Sequence, residues 1–465
     1  MNFYFEKIDR NTYFVSNDSG ESLLANKRQF ENLIKGKKDK KLAGNFLGGR
    51  KYLTKPENIK KFIKYYSGIN RYVYSSPSLH IIVMTLKCNH FCMYCRATDA
   101  KFDKEINEKT LIKTIDFIMD TPNPDITIEF QGGEPLLNWN LLKKGIEYIR
   151  NKNKMAGKNI IVSLVTNLSL MDNEKLKFLI KNKISICTSL DGPKQIHDKN
   201  RIYHPSSSYE KVAYWYKMIK KMTDLTNDGN IDFMPSALMT TTRHSLNHHK
   251  EIIDEYLNLG LGGIFLRPLS PIGYAKNIWE EIGYSSDDFL NFYEKSLNYI
   301  IEINKKGKKF VERNAAIKLR KILLKEDPNF LDLRSPCGAV IGQLAYNYDG
   351  DIYTCDEGRM VGAQNDKTFK VGNVFKSKYK DVVNSSPAKL CLLSSCLENQ
   401  PLCVNCAFKP YCGVCPVFNY ETSKTPFGSN KSFYWCRIEK GIFKIIIKIL
   451  KNKKNLDLFM RWFDA

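Results

Sequence analysis

The sequence predicts an α/β protein built from repeated strand–helix units, preceded by a small strand-rich segment and followed by a cysteine-rich one. Three observations carry this expectation. Short apolar runs alternate with amphipathic helical patterns six times between residues 80 and 306. The first 75 residues instead show alternating, turn-punctuated sequence. Nine of the 13 cysteines fall after residue 313.

Within residues 1–75, "FYFEKI", "TYFVSN" and "ESLLA" read as strands around the turn "NDSG", and "NKRQFENLIKG" as a helix. A Lys-rich stretch follows. Between 76 and 312 the spacing predicts strands at 80–86, 125–130, 160–166, 184–190, 232–240 and 263–269. Helices are predicted at 106–120, 141–152, 173–182, 209–222, 248–260 and 287–306. Apolar strands alternating with amphipathic helices imply parallel strands joined by crossovers. Six such units make either a doubly wound sheet or an incomplete TIM-type barrel. Residues 313–440 form a third unit, opened by "LAYNYDGDIYTCDEG", a hairpin signal with Asp-Gly at its turn. Its clustered cysteines predict a compact domain held by metal. Residues 441–465 read as a basic amphipathic helix.

The 43% apolar and 26% charged composition is that of an ordinary soluble globular protein. The net charge of +23 invites a nucleic-acid reading. Lys dominates over Arg, however, and the basic residues spread along the whole chain on polar helix faces. Solvated surface is therefore expected, with no nucleic acid, and an acidic peptide partner would be assisted. "MNFYFEKIDRNTYFV" carries charges where a signal peptide would be apolar. "GIFKIIIKIL", broken by Lys444 and Lys448, is too short to span a bilayer. A cytoplasmic protein without a transmembrane segment is expected, with peripheral membrane contact by the basic tail as the alternative. In a reducing compartment clustered cysteines are metal ligands rather than disulfides. Cys187, in "ISICTSL", reads as an ordinary core thiol.

Parallel α/β folds place functional groups at the C-terminal ends of their strands. Here "KCNHFCMYCRA" (87–97) follows the first strand and "QGGEP" (131–135) the second. Thr166 and Asn167 end the third, "SLDGP" (189–193) the fourth, and "LRP" (266–268) the sixth. Five polar or Gly-rich features thus converge on one rim. Cys88, Cys92 and Cys95 are spaced C-x3-C-x2-C. Iron–sulfur clusters normally take four thiolates, so three on one loop imply a fourth ligand from elsewhere. Zinc with His90 as fourth ligand is the alternative, although the loop fits no common finger spacing. "CVNCAFKPYCGVC", taken alone, also reads as a zinc ribbon.

Together the C-x3-C-x2-C loop with Tyr94, then GGEP, then "SLDGP" and "HDKNR", resemble the radical S-adenosylmethionine (radical SAM) enzymes over residues 78 to 310. The resemblance implies an incomplete (β/α)6 barrel and a [4Fe–4S] cluster on Cys88, Cys92 and Cys95. In that family the open iron is chelated by the amino and carboxylate groups of SAM. Reductive cleavage then yields a 5′-deoxyadenosyl radical that abstracts a substrate hydrogen. By resemblance Gln131, Gly132, Gly133 and Glu134 serve the SAM amino group, and the two glycines let the backbone approach the methionine moiety. Asn167, Ser189 and Arg201 would contact the ribose or carboxylate, and Tyr94 and Leu266 the adenine. Read alone, Ser189 and Asp191 can form a turn and Asn167 can cap a helix.

The last third resembles the SPASM extension. Its pattern runs through Cys337, then Gly350 and Cys355 with four residues between them, then Cys403, Cys406, Cys412 and Cys415, then Cys436. The Cys412–Cys415 gap is one residue shorter than the pattern. The resemblance implies two auxiliary [4Fe–4S] clusters, three in all. Cys403, Cys406, Cys412 and Cys436 would hold the outer one; Cys337, Cys355 and Cys415 would hold the inner one. Cys391 and Cys396 in "CLLSSC" match no position, each a fourth ligand or a plain thiol. Asp356 matches a carboxylate that takes a proton in sulfatase-maturing relatives; the alternative is that it bonds cluster-loop amides.

SPASM enzymes mostly act on peptides. "FVSNDSGESLL…FENLIKG" and "YCGVCPVFNYETSKTPFGSNKSFYWC" resemble the radical SAM maturases of His-Xaa-Ser-type peptide systems. That implies a ribosomal precursor peptide as substrate, held in part by residues 1–75, and an oxidative modification such as a crosslink. It also implies an electron donor such as flavodoxin or ferredoxin. A sulfatase-type maturase forming formylglycine is the neighbouring expectation, and a zinc-ribbon nucleic-acid module the one from another class.

Overall fold

The computed structural model describes residues 3–36, 56–95, 103–204, 206–225, 235–428 and 433–463. Strands β1 (Tyr4–Lys7), β2 (Thr12–Ser16) and β3 (Ser22–Asn26) form an antiparallel sheet in that order. Helix α1 (Lys27–Ile34) begins at a reciprocal cap, in which Asn26 accepts the Gln29 amide and Gln29 accepts the Asn26 amide. Helix α2 (Pro56–Asn70) then leads to the main sheet.

The main sheet starts with β4 (Leu79–Thr85), after which β5 (Phe91–Cys92) belongs to the cysteine loop. Chain order continues with α3 (Glu108–Met119), β6 (Asp125–Gly132), α4 (Trp139–Ala156), β7 (Asn159–Val165), α5 (Asn173–Lys181) and β8 (Ile184–Ser189). Next come α6 (Lys194–Asn200), β9 (Arg201–Ile202), α7 (Ser208–Leu225) and β10 (Ser236–Leu238). Strands β10, β8, β7, β6 and β4 lie side by side and parallel, in that order. Alternation decides their two faces. Ile128, Phe130, Val162, Leu164, Ile184 and Ile186 pack outward against Leu111, Ile115, Leu142, Ile146, Leu176 and Leu179 of the covering helices. Residues between them face inward, so the sheet curls as part of a barrel. Residues 232–234 of the fifth predicted strand lie outside the described residues.

The sixth strand departs from expectation. After α8 (His249–Asn258), only β11 (Gly263–Ile264) is extended, and it pairs with β12 (Val311–Glu312) rather than with β10. Pro268 and Pro271 offer no amide to a ladder. The Leu266 amide is donated to the Glu312 carboxylate instead, at 3.1 Å. Helices α9 (Trp279–Ile282), α10 (Ser286–Lys305) and α11 (Arg313–Leu319) enclose this side.

The predicted hairpin is β13 (Gln343–Tyr346) and β14 (Asp351–Tyr353), with β15 (Lys370–Asn373) as a third strand. Gly350 at its turn has φ +82°, a conformation glycine supplies without strain. Strand β13 also runs parallel to β4, pairing Gln343 with Leu79 through Tyr346 with Ile82. A buried bond of 2.9 Å between His80 Nδ1 and Tyr346 Oη lies across this pairing. The main sheet is therefore one mixed, eight-stranded sheet that continues out of the barrel.

Beyond it lie α12 (Asp356–Ala363), α13 (Tyr379–Val383), α14 (Ser386–Ser395) and α15 (Pro416–Ser423). Helices α16 (Phe433–Leu450) and α17 (Lys453–Met460) follow. Ile438, Ile442, Ile445 and Ile446 of α16 are buried in one core with Phe289, Tyr293, Leu297 and Ile301 of α10. The apolar face of the basic tail is thus covered by protein, which corrects the membrane-contact expectation. No helix among the described residues is long and apolar enough to cross a membrane. The N-terminal sheet rests on the cysteine-rich segment: Phe14 packs with Phe408, Tyr411 and Phe443. Ser16 Oγ donates to Ala407 O at 2.5 Å, and Tyr411 Oη to Gly20 O at 3.1 Å.

Candidate active site and metal centres

The cysteine loop and GGEP meet backbone to backbone. Gly133 N donates to Thr85 O at 2.7 Å and Glu134 N to Lys87 O at 2.8 Å. A Cβ on Gly133 would lie 1.8 Å from Lys87 O, and one on Gly132, where φ is +145°, 2.2 Å from Thr85 O. The cysteine loop itself therefore demands these glycines, a reason independent of any cofactor. Gln131, half-buried, pairs with Val83 at the inward end of β6.

Glu134 is fully buried and accepts from Thr166 Oγ1 (2.7 Å), Asn167 N (2.8 Å) and Leu136 N (3.0 Å). Burial pushes its pKa up to about 7 against the opposing pull of these bonds. Its carboxylate ties the second strand end to the third. The side chain of Asn167 extends the tie to the loop, donating to Asn89 Oδ1 and His90 Nδ1, both at 2.9 Å. His90 also bonds Ser208 Oγ through Nε2 at 2.9 Å and stacks on Tyr203. Both its ring nitrogens are engaged, so the zinc reading loses its fourth ligand. The His90 amide instead faces Cys88 Sγ at 3.4 Å.

Strand β5 pairs with β9, setting Cys92 opposite Arg201. Arg201 Nη1 is 4.0 Å from Cys92 Sγ, and its Nε and Nη2 bond Asp191 at 3.1 and 3.3 Å. Asp191, read from the sequence as a turn residue, is fully buried and also receives Tyr94 Oη (2.6 Å) and the Thr240 amide (3.1 Å). Burial would raise its pKa, but the Arg201 charge outweighs this and holds it below the usual carboxylate range. Tyr94 and Arg201 are thus locked together under the cysteine loop, with the guanidinium 5.2 Å from the ring centroid. Ser189 ends β8, half-buried beside Leu238. The Leu266 side chain turns into the core with Ile264 and Leu269.

The barrel interior adds groups that the sequence did not single out. Glu129, in register with Ser163, accepts its hydroxyl at 3.2 Å. Its pKa is pushed up to about 7, first by burial and then by the charge of Asp356. A carboxylate inside the apolar run "DITIEF" was the available signal. Cys187 faces the same interior, among the charges of Glu129, Arg313 and Arg267, rather than the outer core expected of it. Arg267 Nη2 is 3.9 Å from Glu357, and Asp356 Oδ1 accepts Arg359 Nε at 2.9 Å.

Two further thiol groups form in the last third. Cys337, Cys355 and Cys415 share one buried cluster of side chains. Cys355 and Cys415 each cap a helix: Cys355 Sγ accepts Gly358 N at 3.3 Å, and Cys415 Sγ accepts Phe418 N at 3.4 Å. The amides oppose, but do not outweigh, the burial that pushes Cys415 up to about 12 and Cys355 well above the usual thiol range. Cys403, Cys406, Cys412 and Cys436 line one cavity of about 70 Å³ together with Cys415, which thus stands between the two groups, and with Lys409 and Lys440 beside them. Burial pushes Cys88, Cys92 and Cys403 up to about 12, so these thiols stay protonated until a metal displaces the protons. Among the described residues no group of His, Cys, Asp or Glu is already arranged as a metal site, but the donors are of the kind iron–sulfur clusters take: three thiols on the rim loop and five on one cavity.

A partial barrel thus carries a three-thiol loop on its rim and is continued by a cysteine-rich domain. Residues 82–235 match the Radical SAM superfamily, and residues 337–407 match SPASM, the iron-sulfur cluster-binding domain. A radical SAM match followed by a SPASM match is thus found in this chain. It is 24% identical over 394 residues to the cysteine-type anaerobic sulfatase-maturating enzyme of Clostridium novyi, covering 82% of this chain and 98% of that one. It is also 24% identical over 401 residues to the radical SAM cyclopropyl synthase TigE of Paramaledivibacter caminithermalis, covering 81% and 74%. Among solved structures, anSMEcpe with bound AdoMet superposes with TM-score 0.67 at 21% identity, over 81% of this chain and 99% of that one. Streptococcus suis SuiB bound to its precursor peptide SuiA superposes with TM-score 0.54 at 15% identity, over 93% and 98%.

Proposed function

We propose that the chain is a radical SAM peptide maturase with three [4Fe–4S] clusters that oxidatively modifies a ribosomal precursor peptide, by a crosslink or related change. The observation that carries this reading is the polar barrel interior, where Glu129 from the barrel neighbours Asp356 from the cysteine-rich domain. When bound, SAM supplies a 5′-deoxyadenosyl radical that removes a substrate hydrogen. Completing the oxidation also releases a proton and an electron: Asp356 and Glu129 are the carboxylates at hand for the proton, and the auxiliary clusters, when bound, would take the electron. Gln131, the backbone of Gly132 and Gly133, Asn167 and Ser189 are the rim groups we assign to SAM. Tyr94 and Arg201 act through Asp191 to hold the loop, and Leu266 contributes its backbone. SuiB, solved with its precursor peptide, supports a peptide substrate by analogy of fold. Strand β3, paired only with β2 among the described residues, offers an edge where an extended precursor can add a strand. The net charge of +23 suits an acidic electron donor such as flavodoxin or ferredoxin.

A second reading, formylglycine formation on a sulfatase, is favoured by the likeness to the Clostridium novyi enzyme along nearly that protein's whole length. One experiment separates the two. The anaerobically purified protein is incubated with SAM, dithionite and either a short precursor encoded beside its gene or a sulfatase-derived peptide. The maturase reading expects 5′-deoxyadenosine and a precursor lighter by two hydrogen atoms. Modification of the sulfatase peptide alone selects the second reading. A colourless, zinc-loaded protein sinks both.

A further inference from the structure

We propose that Cys391 is the fourth protein ligand of the inner auxiliary cluster, closing that cluster to outside ligands. The proposal rests on the two-auxiliary-cluster reading and goes beyond the seven cysteines of the SPASM pattern. Cys337, Cys355 and Cys415 come to one packed group from three separate loops, and Cys391 joins that group from helix α14. Positions 391 and 395 lie one turn apart on a single face of α14. Ser395 Oγ accepts the amide of Cys337 at 3.0 Å and donates to Cys391 O at 2.6 Å. The same two hydrogen bonds therefore pin the Cys391 face of the helix against the Cys337 loop. Cys391 is 1% exposed and packs in one group with the other three thiols, Val361 and Phe369.

Cys396, the other cysteine outside the pattern, supplies the contrast. It caps the C-terminal end of α14, is half-exposed, and takes no part in that group. Buried cysteine is commonly just a small hydrophobe. Three further thiols in one packed group are not the surroundings of a mere filler. With four thiolates on four irons, the inner cluster exchanges single electrons and has no iron free to hold the peptide.

The test uses the full chain carrying Cys88→Ala, Cys92→Ala and Cys95→Ala, so that only auxiliary iron remains. The reconstituted parent should hold about eight irons, and its reduced paramagnetic signal should show no coupling to added ¹³C-cyanide. Adding Cys391→Ala should either remove about four irons or open the inner cluster to cyanide. Adding Cys391→Ser should keep the iron but shift the g-values of one cluster. Cys396→Ala should change nothing. Unchanged iron and spectra in both Cys391 variants overturn the proposal. So does loss of both clusters in both variants, because a ligand role predicts that one cluster alone responds. A parent without about eight irons overturns the two-cluster reading itself, before any Cys391 variant is made.

Discussion

Gly133 and Glu134 sit side by side in the chain and constrain the rim in different ways. Gly133 is fixed by space: a methyl group there collides with the Lys87 carbonyl, one residue before Cys88. Gly133→Ala is expected to displace the cysteine loop, with at least about a tenfold loss of SAM cleavage, as misplaced catalytic groups cost rate steeply. Iron content and 5′-deoxyadenosine yield measure it together. Glu134 is fixed by hydrogen bonds and carries a pH signature. Its proton leaves near 4.5 in the unfolded chain but near 7 in the folded one. Between those values the folded state holds more protons, so this group's contribution to stability falls as pH rises. The buried histidines His80, His90 and His197, whose pKa values lie lowered to between about 3 and about 4, act in the opposite direction. The informative quantity is therefore a difference. Glu134→Gln should gain thermal midpoint relative to the parent as pH rises from about 5 to about 7, by roughly a few degrees.

Elements with a strict period were legible in the sequence; those decided by partners were not. The first four barrel strands and their helices lie where apolar periodicity puts them, and so do the three N-terminal strands. The residues 263–269 run is as apolar as its predecessors, yet only two of its residues extend, because Pro268 and the Glu312 carboxylate divert the backbone. Helix α16 is the converse case. Its pattern of isoleucines and lysines suits a membrane surface or a protein core equally, and only α10 decides between them. Ile446, fully buried, should cost about 2–5 kcal/mol when changed to Ala, read as a lowered denaturation midpoint. The intact protein should not float with anionic vesicles. The cysteine motifs themselves were legible because spacing alone carries them. The interior carboxylate Glu129 and the hub Asp191 were not, since a single acidic residue has no period.

At the scale of the whole molecule, the sequence divides into a barrel and a cysteine-rich domain, while the sheet does not. Because β13 completes the edge of β4, a fragment ending at residue 312 would bare that edge and the His80 side chain. Such a fragment is expected to aggregate and to retain no iron, whereas an independent barrel would remain monomeric with its rim cluster; size-exclusion chromatography with iron analysis distinguishes them. Pairing between strands some 260 residues apart leaves no local mark, which is why the sequence read the hairpin as separate. A longer reach still joins Ser16 to Ala407, 391 residues later in the chain. At roughly 5–20 residues per second, the ribosome needs about 20–80 s to deliver Phe408 after Phe14. Throughout that interval the first sheet has nothing to lie on. Once it docks, it covers the segment that bears Cys406 and Cys412. Docking of the N-terminal sheet is therefore a late event, timed by the last part of the chain to emerge, and the segment bearing Cys406 and Cys412 stands uncovered by that sheet until then.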